Sequence, residues 1–131
     1  MSISEKSVEL HGEGFNCAQS VLISCGDYTG LDKDTAAALS AGFGGGVRAG
    51  EVCGSISGAA MVVGKVLTDS GKSSEIAAVT KELVKAFREN YGSARCFNLK
   101  KSGHSCDELI AFAAEYADKI IKEYEVENGN L

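Results

Sequence analysis

Residues 53–68 read CGSISGAAMVVGKVLT, and this segment organises the rest of the chain. Its side chains are small and apolar nearly throughout, whereas a surface helix carries one polar face. A helix that is apolar on all sides is buried on all sides. The segment therefore predicts a buried helix from about Cys53 to Thr68 at the centre of the molecule.

Five further segments show the spacing of apolar residues that is typical of helices, and the chain contains no proline. They are 3–12, 16–28, a segment capped by Asp32 or Asp34 that ends near Phe43, 74–91 and 106–124. Asn16 is expected to cap the second helix, and Ser105 with Glu108 forms a capping-box pattern before the last. The segments 42–50 and 92–105 are predicted to be loops, the first because of its glycines.

The sequence thus predicts an all-α fold, a bundle of five to six helices around the central 53–68 helix. The 131 residues of the chain suffice for one core without disulfide bonds, so we expect a single domain over residues 1–131. The tail, residues 125–131, is expected to fray beyond the last helix.

Composition and charge exclude several classes of protein. The net charge is −5 and no stripe of Lys and Arg occurs, which argues against nucleic acid as a partner. No apolar run approaches the ~20 residues that span a bilayer, so membrane insertion is not expected. The first six residues lack the pattern of a signal peptide, and we expect a cytoplasmic protein.

Five cysteines are spread along the chain, with no two closer than eight positions. They are Cys17, Cys25, Cys53, Cys96 and Cys106. No C-x-x-C pair occurs, so neither a thioredoxin motif nor a zinc ribbon is predicted. In a reducing compartment, clustered cysteines are more often metal ligands or redox groups than structural disulfides. Thiols this far apart in sequence form a site only if the fold brings them together.

Cys53 follows the glycine-rich loop 42–50 and falls at the predicted start of the central helix. The free N–H groups and partial positive charge of a helix N-terminus stabilise a thiolate, and Arg48 can add to this effect. The glycines let backbone N–H groups approach a sulfur, an anion or a cluster. The residues expected to contact a cofactor are Gly44, Gly45, Gly46, Arg48 and Gly54. The alternative interpretation is that Cys53 is a small residue buried at a packed helix start.

The other cysteines differ in their predicted positions. Cys17 and Cys106 also fall at predicted helix starts, whereas Cys96 lies in the loop before the last helix. Cys25 lies on the apolar face of the second helix and is predicted to be a core residue. His104, in the same loop as Cys96, is a ligand, a general base or an exposed loop histidine, and the sequence leaves these roles open.

On these residues, the chain resembles the C_GCAxxG_C_C family over roughly residues 5–120. The pattern of that family is four cysteines, the second of which begins a Cys-Gly-Ala-x-x-Gly motif. The matching residues here are Cys17, the frame Cys53-Gly54-Ser55-Ile56-Ser57-Gly58 with the glycines 44–46 before it, Cys96 and Cys106. Ser55 stands where the family has alanine, a small-for-small exchange, and Cys25 lies outside the pattern.

The resemblance implies a small cytoplasmic bacterial or archaeal protein that is redox-active. The family is similar to a domain of split-Soret cytochromes, in which cysteines of this kind are associated with an iron–sulfur centre. This chain lacks the haem motifs of those proteins, so only the cysteine domain carries over.

Three functions are compatible with these residues. The first is electron transfer to an unidentified redox partner through an iron–sulfur cluster or another metal. The ligands in this hypothesis are Cys17, Cys53, Cys96 and Cys106. Zinc fits less well, because zinc sites usually draw paired cysteines from short knuckles. The second function is a metal-free thiol–disulfide enzyme or sensor in which Cys53 is the reactive thiolate. The third is a non-catalytic helical module that packs against a second copy as a homo-oligomer.

Overall fold

The structure is a computed structural model that describes residues 1–127 and the side chains of residues 1–124. Its described part is all-α, as predicted, with eight α-helices and no β-strand. The helices are α1 (Ile3–Gly12), α2 (Cys17–Ser24), α3 (Gly26–Thr29), α4 (Lys33–Ser40), α5 (Gly54–Asp69), α6 (Ile76–Tyr91), α7 (Cys96–Lys101) and α8 (Cys106–Glu127). Because α3 and α7 have only 4 and 6 residues, the longer helices correspond to the predicted bundle.

Helix α5 is the centre of the bundle, as its sequence predicts. It packs against α2, α8, α6 and α3, and α1 closes the bundle by packing on α2 and α8. The buried residues of α5 are Gly54, Ser55, Ile56, Gly58, Ala59, Val62, Val63 and Leu67. The prediction that α5 is enclosed on all sides is wrong for one of its faces, since Met61, Lys65 and Val66 are only half-buried. None of the described helices is long and apolar enough to cross a membrane.

Side chains of the predicted caps define the starts of three helices. Asn16 Oδ1 accepts the Gln19 N–H at 2.9 Å, and Gln19 Oε1 in turn accepts the Asn16 N–H at 2.9 Å. Asp32, the first of the two candidates for this position, caps α4. Ser105 Oγ accepts the Glu108 N–H at 3.1 Å where α8 begins. Local sequence therefore fixes where these helices start, and two of these starts border the site described below.

Three boundaries differ from the sequence prediction. The predicted helix 16–28 is divided at Cys25, whose dihedral angles (φ −96°, ψ 19°) interrupt the helix between α2 and α3. The helix predicted to end near Phe43 is α4, which ends at Ser40 and is followed by a single 3₁₀ turn, Ala41–Phe43. Helix α6 begins after the 3₁₀ turn Ser73–Glu75, slightly later than predicted.

The segment 92–105 is not a plain loop, because it contains helix α7. Six residues hold too few apolar positions to show helical periodicity, so sequence reasoning missed this helix. The predicted fraying of the tail concerned residues 125–131. Helix α8 continues through Glu127, past its predicted end at residue 124, and residues 128–131 lie outside the described residues, so the fraying stays a prediction.

The glycine-rich loop before α5 contains one left-handed turn. Positive φ angles between 57° and 67° belong to Gly45, Gly46, Val47 and Arg48. Among the described non-glycine residues only Val47 and Arg48 adopt this conformation, which costs about 1–2 kcal/mol for each. The Glu51 N–H donates to the Gly46 carbonyl at 3.0 Å, and Arg48 Nη2 donates to the Ala41 carbonyl at 2.8 Å. These bonds hold the strained turn in place where the chain enters α5.

Candidate functional site: a cavity lined by four cysteines

A cavity of about 130 Å³ lies where α2, α5, α7 and α8 begin. Its lining residues are His11, Asn16, Cys17, Gly45, Cys53, Ser55, Cys96, Lys100, Cys106 and Leu109. Four of the five cysteines are among them, and these four are the predicted ligand set. Cys17, Cys53 and Cys96 are buried, whereas Cys106 is half-buried. The fold thus brings together thiols that are far apart in sequence.

Each of the four cysteines lies at the start of a helix. Cys17 follows the cap residue Asn16 as the first residue of α2, and Cys106 is the first residue of α8. Cys53 occupies the N-cap position of α5, and Cys96 is the first residue of the short helix α7. The first N–H groups of a helix have no partner within it and carry partial positive charge. The starts of the longer helices α2, α5 and α8 therefore favour negative charge on the sulfurs.

A short antiparallel pairing holds Cys53 beside Cys96. The Cys53 N–H donates to the Ala94 carbonyl at 2.8 Å, and the Cys96 N–H donates to the Glu51 carbonyl at 2.6 Å. The pairing consists of one isolated β-bridge and extends into no strand within the described residues. It fixes the entrance of α5 against the start of α7, so these two cysteines become neighbours although they are distant in sequence.

Three glycines beside the cavity lie where a larger residue would not fit. A Cβ atom on Gly54 would overlap the Cys17 sulfur, and one on Gly46 would lie 2.9 Å from Cys96 Cβ. A Cβ atom on Gly44 would lie 2.7 Å from the side chain that caps α2. Backbone therefore packs directly against the residues that carry or position the thiols.

The residues predicted to contact a cofactor divide into two groups. Gly45 lines the cavity directly. The other three glycines of this set do not line it but pack against residues that do. Arg48 also lies outside the lining, and its guanidinium is engaged with the Ala41 carbonyl. Contact between these residues and a bound group stays a prediction.

Burial favours the neutral form of two of the cavity thiols, those of Cys53 and Cys106. Desolvation raises the pKa of Cys53 to about 11, although the N–H groups and the hydroxyl near its sulfur oppose this effect. Desolvation also raises the pKa of Cys106, and the nearby Lys100 ammonium partly offsets it. The Cys17 sulfur lies close enough to both thiols to disfavour a second negative charge. Four thiolates in this space would repel one another, so they require positive charge among them.

Ser55 contributes a hydroxyl group that has no partner. Its side chain lines the cavity and is completely buried. Among the described residues, its Oγ is the buried side-chain nitrogen or oxygen atom that makes no hydrogen bond. It lies near the Cys53 sulfur and favours the thiolate there, but the geometry is not that of a hydrogen bond. Buried hydroxyl groups normally make a hydrogen bond, so Ser55 is an exception to that rule.

Sequence reasoning missed His11 and Lys100, which also line the cavity. His11 Nδ1 lies 2.7 Å from Asp107 Oδ1, and this pair ties the end of α1 to the start of α8. The two residues are 96 positions apart, so no local pattern could have linked them. Lys100 lies between Cys96 and Cys106 in sequence, which is the one signal that could have pointed to it.

His104 and Cys25 lie outside the lining of the cavity. His104 Nδ1 is 3.2 Å from Glu108 Oε1, and its ring packs edge-on against Tyr91. These contacts place His104 at the start of α8 and give no support to a role as ligand. Cys25 is completely buried in the main hydrophobic core, as predicted.

The four sulfurs surround a space and do not converge on one point. Among the described residues, no three His, Cys, Asp or Glu side chains are placed to hold a single metal ion. All five cysteines are free thiols in this structure.

A wider groove of about 640 Å³ adjoins the cavity. The two share Gly45, Cys96 and Lys100 among their lining residues. Phe97 also lines the groove and is 58% exposed, and Lys101 Nζ lies 6.0 Å from the centre of its ring. Along this groove, solvent comes close to Cys96.

A family model tests the resemblance that the cysteines suggest. The model described as "Putative redox-active protein (C_GCAxxG_C_C)" matches residues 15–120, a range that includes all four cavity cysteines. The chain belongs to the C_GCAxxG_C_C family. No curated protein and no solved structure matches it significantly. Membership of a family described as redox-active agrees with a cavity lined by thiols.

Proposed function

We propose that the protein transfers electrons through an iron–sulfur cluster, or another metal group of several atoms, bound in the cavity. The ligands would be Cys17, Cys53, Cys96 and Cys106. One observation carries the proposal: four of the five cysteines line a single cavity, while the fifth is buried in the core outside it. The description of the family as redox-active supports the same class of function.

The residues around the cavity fit such a group. Four cysteine thiolates are the usual ligands of iron–sulfur clusters, and four cysteines are present here. A cavity of about 130 Å³ has room for several atoms, since about 10–15 Å³ of the same kind of volume holds one water molecule. The unpartnered Ser55 hydroxyl also fits, because a bound group containing sulfur offers it an acceptor. When bound, an iron–sulfur cluster supplies the uptake and release of electrons.

The residues of the chain would hold the group and set its surroundings. Metal binding deprotonates cysteine ligands, and the helix starts at Cys17, Cys53 and Cys106 stabilise the resulting thiolates. Buried walls such as Leu109 exclude water, which affects the reduction potential of a bound centre. The ammonium group of Lys100 adds positive charge to the lining, and positive charge favours the more negative, reduced state.

A metal-free thiol–disulfide function has less support. The attacking group in that chemistry is a thiolate, and reactive cysteines have lowered pKa values. Burial instead raises the pKa of Cys53 to about 11, which keeps this thiol protonated at neutral pH. No observation favours the third function, a non-catalytic helical module.

Anaerobic reconstitution tests the proposal. The protein is incubated with iron and sulfide and desalted. It is then examined by visible spectroscopy and by analysis of iron, acid-labile sulfide and zinc. We expect broad visible absorption together with iron and acid-labile sulfide. A protein that stays colourless and metal-free contradicts the proposal, and stoichiometric zinc without iron contradicts electron transfer.

Single cysteine variants then assign the ligands. Serine variants of the four cavity cysteines are expected to lose most of the iron and the colour, because each removes one thiolate ligand. Cys25→Ser is the matched control, since Cys25 is equally buried but lies outside the cavity lining. Circular dichroism establishes that each variant is folded. Equal loss of iron from Cys25→Ser, or no loss from Cys53→Ser, contradicts the assignment.

A further inference from the structure

We propose that Ser55 is a positioning residue of the cavity, whose hydroxyl group donates a hydrogen bond to a sulfur atom of the group bound there. The proposal rests on the function proposed above, because the acceptor belongs to the occupied cavity. It adds to that function a residue that sets how firmly the group is retained and at which potential it is reduced.

The other buried serines use their hydroxyl groups within their own helices. At 2.6–2.8 Å, the carbonyl acceptors are those of Ser4 for Ser7, Asn16 for Ser20, Val21 for Ser24 and Ala36 for Ser40. This is an ordinary arrangement for a serine inside a helix. Ser55 is as completely buried as Ser7, Ser20 and Ser40, yet its Oγ has no acceptor among the described residues.

The position of Ser55 in α5 explains why its usual acceptor is missing. Helix α5 begins at Gly54, so no helical turn precedes Ser55. The carbonyls three and four residues earlier belong to Val52 and Glu51, which precede the helix and so are not placed as they would be in a helical turn. The hydroxyl group is left at the wall of the cavity, near the Cys53 sulfur.

The chemistry of sulfur determines when this hydroxyl group finds a partner. A neutral thiol is a weak acceptor, whereas an anionic sulfur, either a thiolate ligand or sulfide, accepts a stronger, charge-assisted bond. A donor to such a sulfur stabilises negative charge, so it favours the reduced state and strengthens retention.

The experiment compares Ser55→Ala with Ser57→Ala in the full-length protein, before and after reconstitution with iron and sulfide. Ser57 also lies in α5, but it is half-buried and does not line the cavity, so it controls for the loss of a serine. Three quantities are measured. They are the urea midpoint of the metal-free protein, the reduction potential, and the half-time of iron loss to EDTA.

We expect the two states of the protein to respond differently to Ser55→Ala. In the metal-free protein the urea midpoint stays at the wild-type value or rises, because an unsatisfied buried hydroxyl group is removed. After reconstitution, iron loss to EDTA is about tenfold faster than in wild type, and the reduction potential becomes more negative. Ser57→Ala leaves the potential and the half-time unchanged.

Two results overturn the proposal for Ser55 alone. One is a wild-type protein that loads normally while Ser55→Ala shows the same potential and the same half-time. The other is a metal-free Ser55→Ala with a clearly lowered urea midpoint, which means that the hydroxyl group already has a partner without the bound group. A wild-type protein that takes up no iron overturns the proposed function, and the Ser55 proposal falls with it.

Discussion

Two Cys-Gly pairs in this chain share much of their setting. Cys25 precedes α3 and Cys53 precedes α5, and in each case the following glycine is the first residue of the helix. Both thiols are buried, and burial raises the pKa of each to about 11. By sequence, burial and acidity alone, the two cysteines are alike.

Their surroundings separate them. The Cys25 sulfur lies 3.8 Å from the Ser24 hydroxyl oxygen, and that hydroxyl already donates to the Val21 carbonyl. Around Cys53 there is a cavity with three further cysteines, and the Ser55 hydroxyl has no partner. Burial and a raised pKa are thus common to core cysteines and candidate ligands. Empty space and unsatisfied donors distinguish the candidate ligand from the core residue.

The largest expected effect on stability comes from replacing Gly54 with alanine, and Gly26→Ala in the other pair is its matched control. A Cβ atom on Gly54 would overlap the Cys17 sulfur and lie 2.9 Å from the Phe43 carbonyl oxygen. On Gly26 it would meet only the Leu31 carbonyl oxygen, at 3.5 Å, an ordinary contact. We therefore expect Gly54→Ala to destabilise the metal-free protein by about 3 kcal/mol, as overpacking does. Gly26→Ala is expected to change stability by less than about 1 kcal/mol.

Urea denaturation of the two variants measures this difference. Gly54→Ala should also reduce iron uptake, because the Cys17 side chain must move to admit the methyl group. Similar urea midpoints for the two variants would remove the distinction between the two pairs, since it depends on how closely α5 approaches α2.

Alkaline pH tests the property that the two cysteines share. The pKa of each is raised from 9.0 to about 11. Below pH 9 both thiols are protonated in the folded and the unfolded chain, so they add no pH dependence. Between pH 9 and pH 11 the unfolded chain releases these protons while the folded chain retains them, so stability falls as pH rises. The loss is about 2–3 kcal/mol for each thiol.

Urea denaturation of the metal-free protein at pH 8 and pH 11 measures this loss. Tyr and Lys residues also titrate in this range, and their contribution to the loss of stability cancels when wild type is compared with Cys25→Ala and Cys53→Ala. Each variant should lose less stability than wild type, by similar amounts. If only Cys25→Ala lessens the loss of stability, water reaches Cys53 through the cavity. The two cysteines then do not share a pKa that is raised by burial.

Local patterns in the sequence predicted much of the fold and which cysteines lie at the candidate site. The apolar segment 53–68 predicted the central helix, and Asn16 predicted the start of α2. Cysteines at predicted helix starts, together with the resemblance, predicted the ligand set, because a helix start is a local property that residue types report. The structure places that set around one cavity, while its role as ligands stays a prediction.

Contacts between distant residues could not be predicted in this way. The bond from the Cys96 N–H to the Glu51 carbonyl positions the start of α7 beside the entrance of α5, where Ser55 lies. The contact between His11 and Asp107 likewise joins opposite ends of the chain. Neither contact leaves a pattern in the residues nearby, so the unpartnered Ser55 hydroxyl becomes visible only in three dimensions.

The smallest expected effect concerns the backbone that leads into each cysteine. Cys25 follows the regular helix α2, whereas Cys53 follows the loop in which Val47 has a left-handed conformation (φ 57°). Val47 is 51% exposed, so its side chain contributes little packing. Val47→Gly should therefore stabilise the metal-free protein by up to about 1 kcal/mol, because the steric cost of positive φ that glycine removes is at least as large as the flexibility that it adds to the unfolded chain.

Val52→Gly is the matched control for this prediction. Val52 is similarly exposed, at 44%, but it pairs with Arg95 in the β-bridge, and its φ is not positive. Glycine there relieves no strain and adds flexibility to the unfolded chain, so Val52→Gly should destabilise the protein by about 1 kcal/mol. Opposite shifts of the two urea midpoints locate the strain in the turn that precedes Cys53. If both variants lose stability by equal amounts, the backbone is not left-handed at Val47. The segments that lead into Cys25 and Cys53 would then not differ in strain.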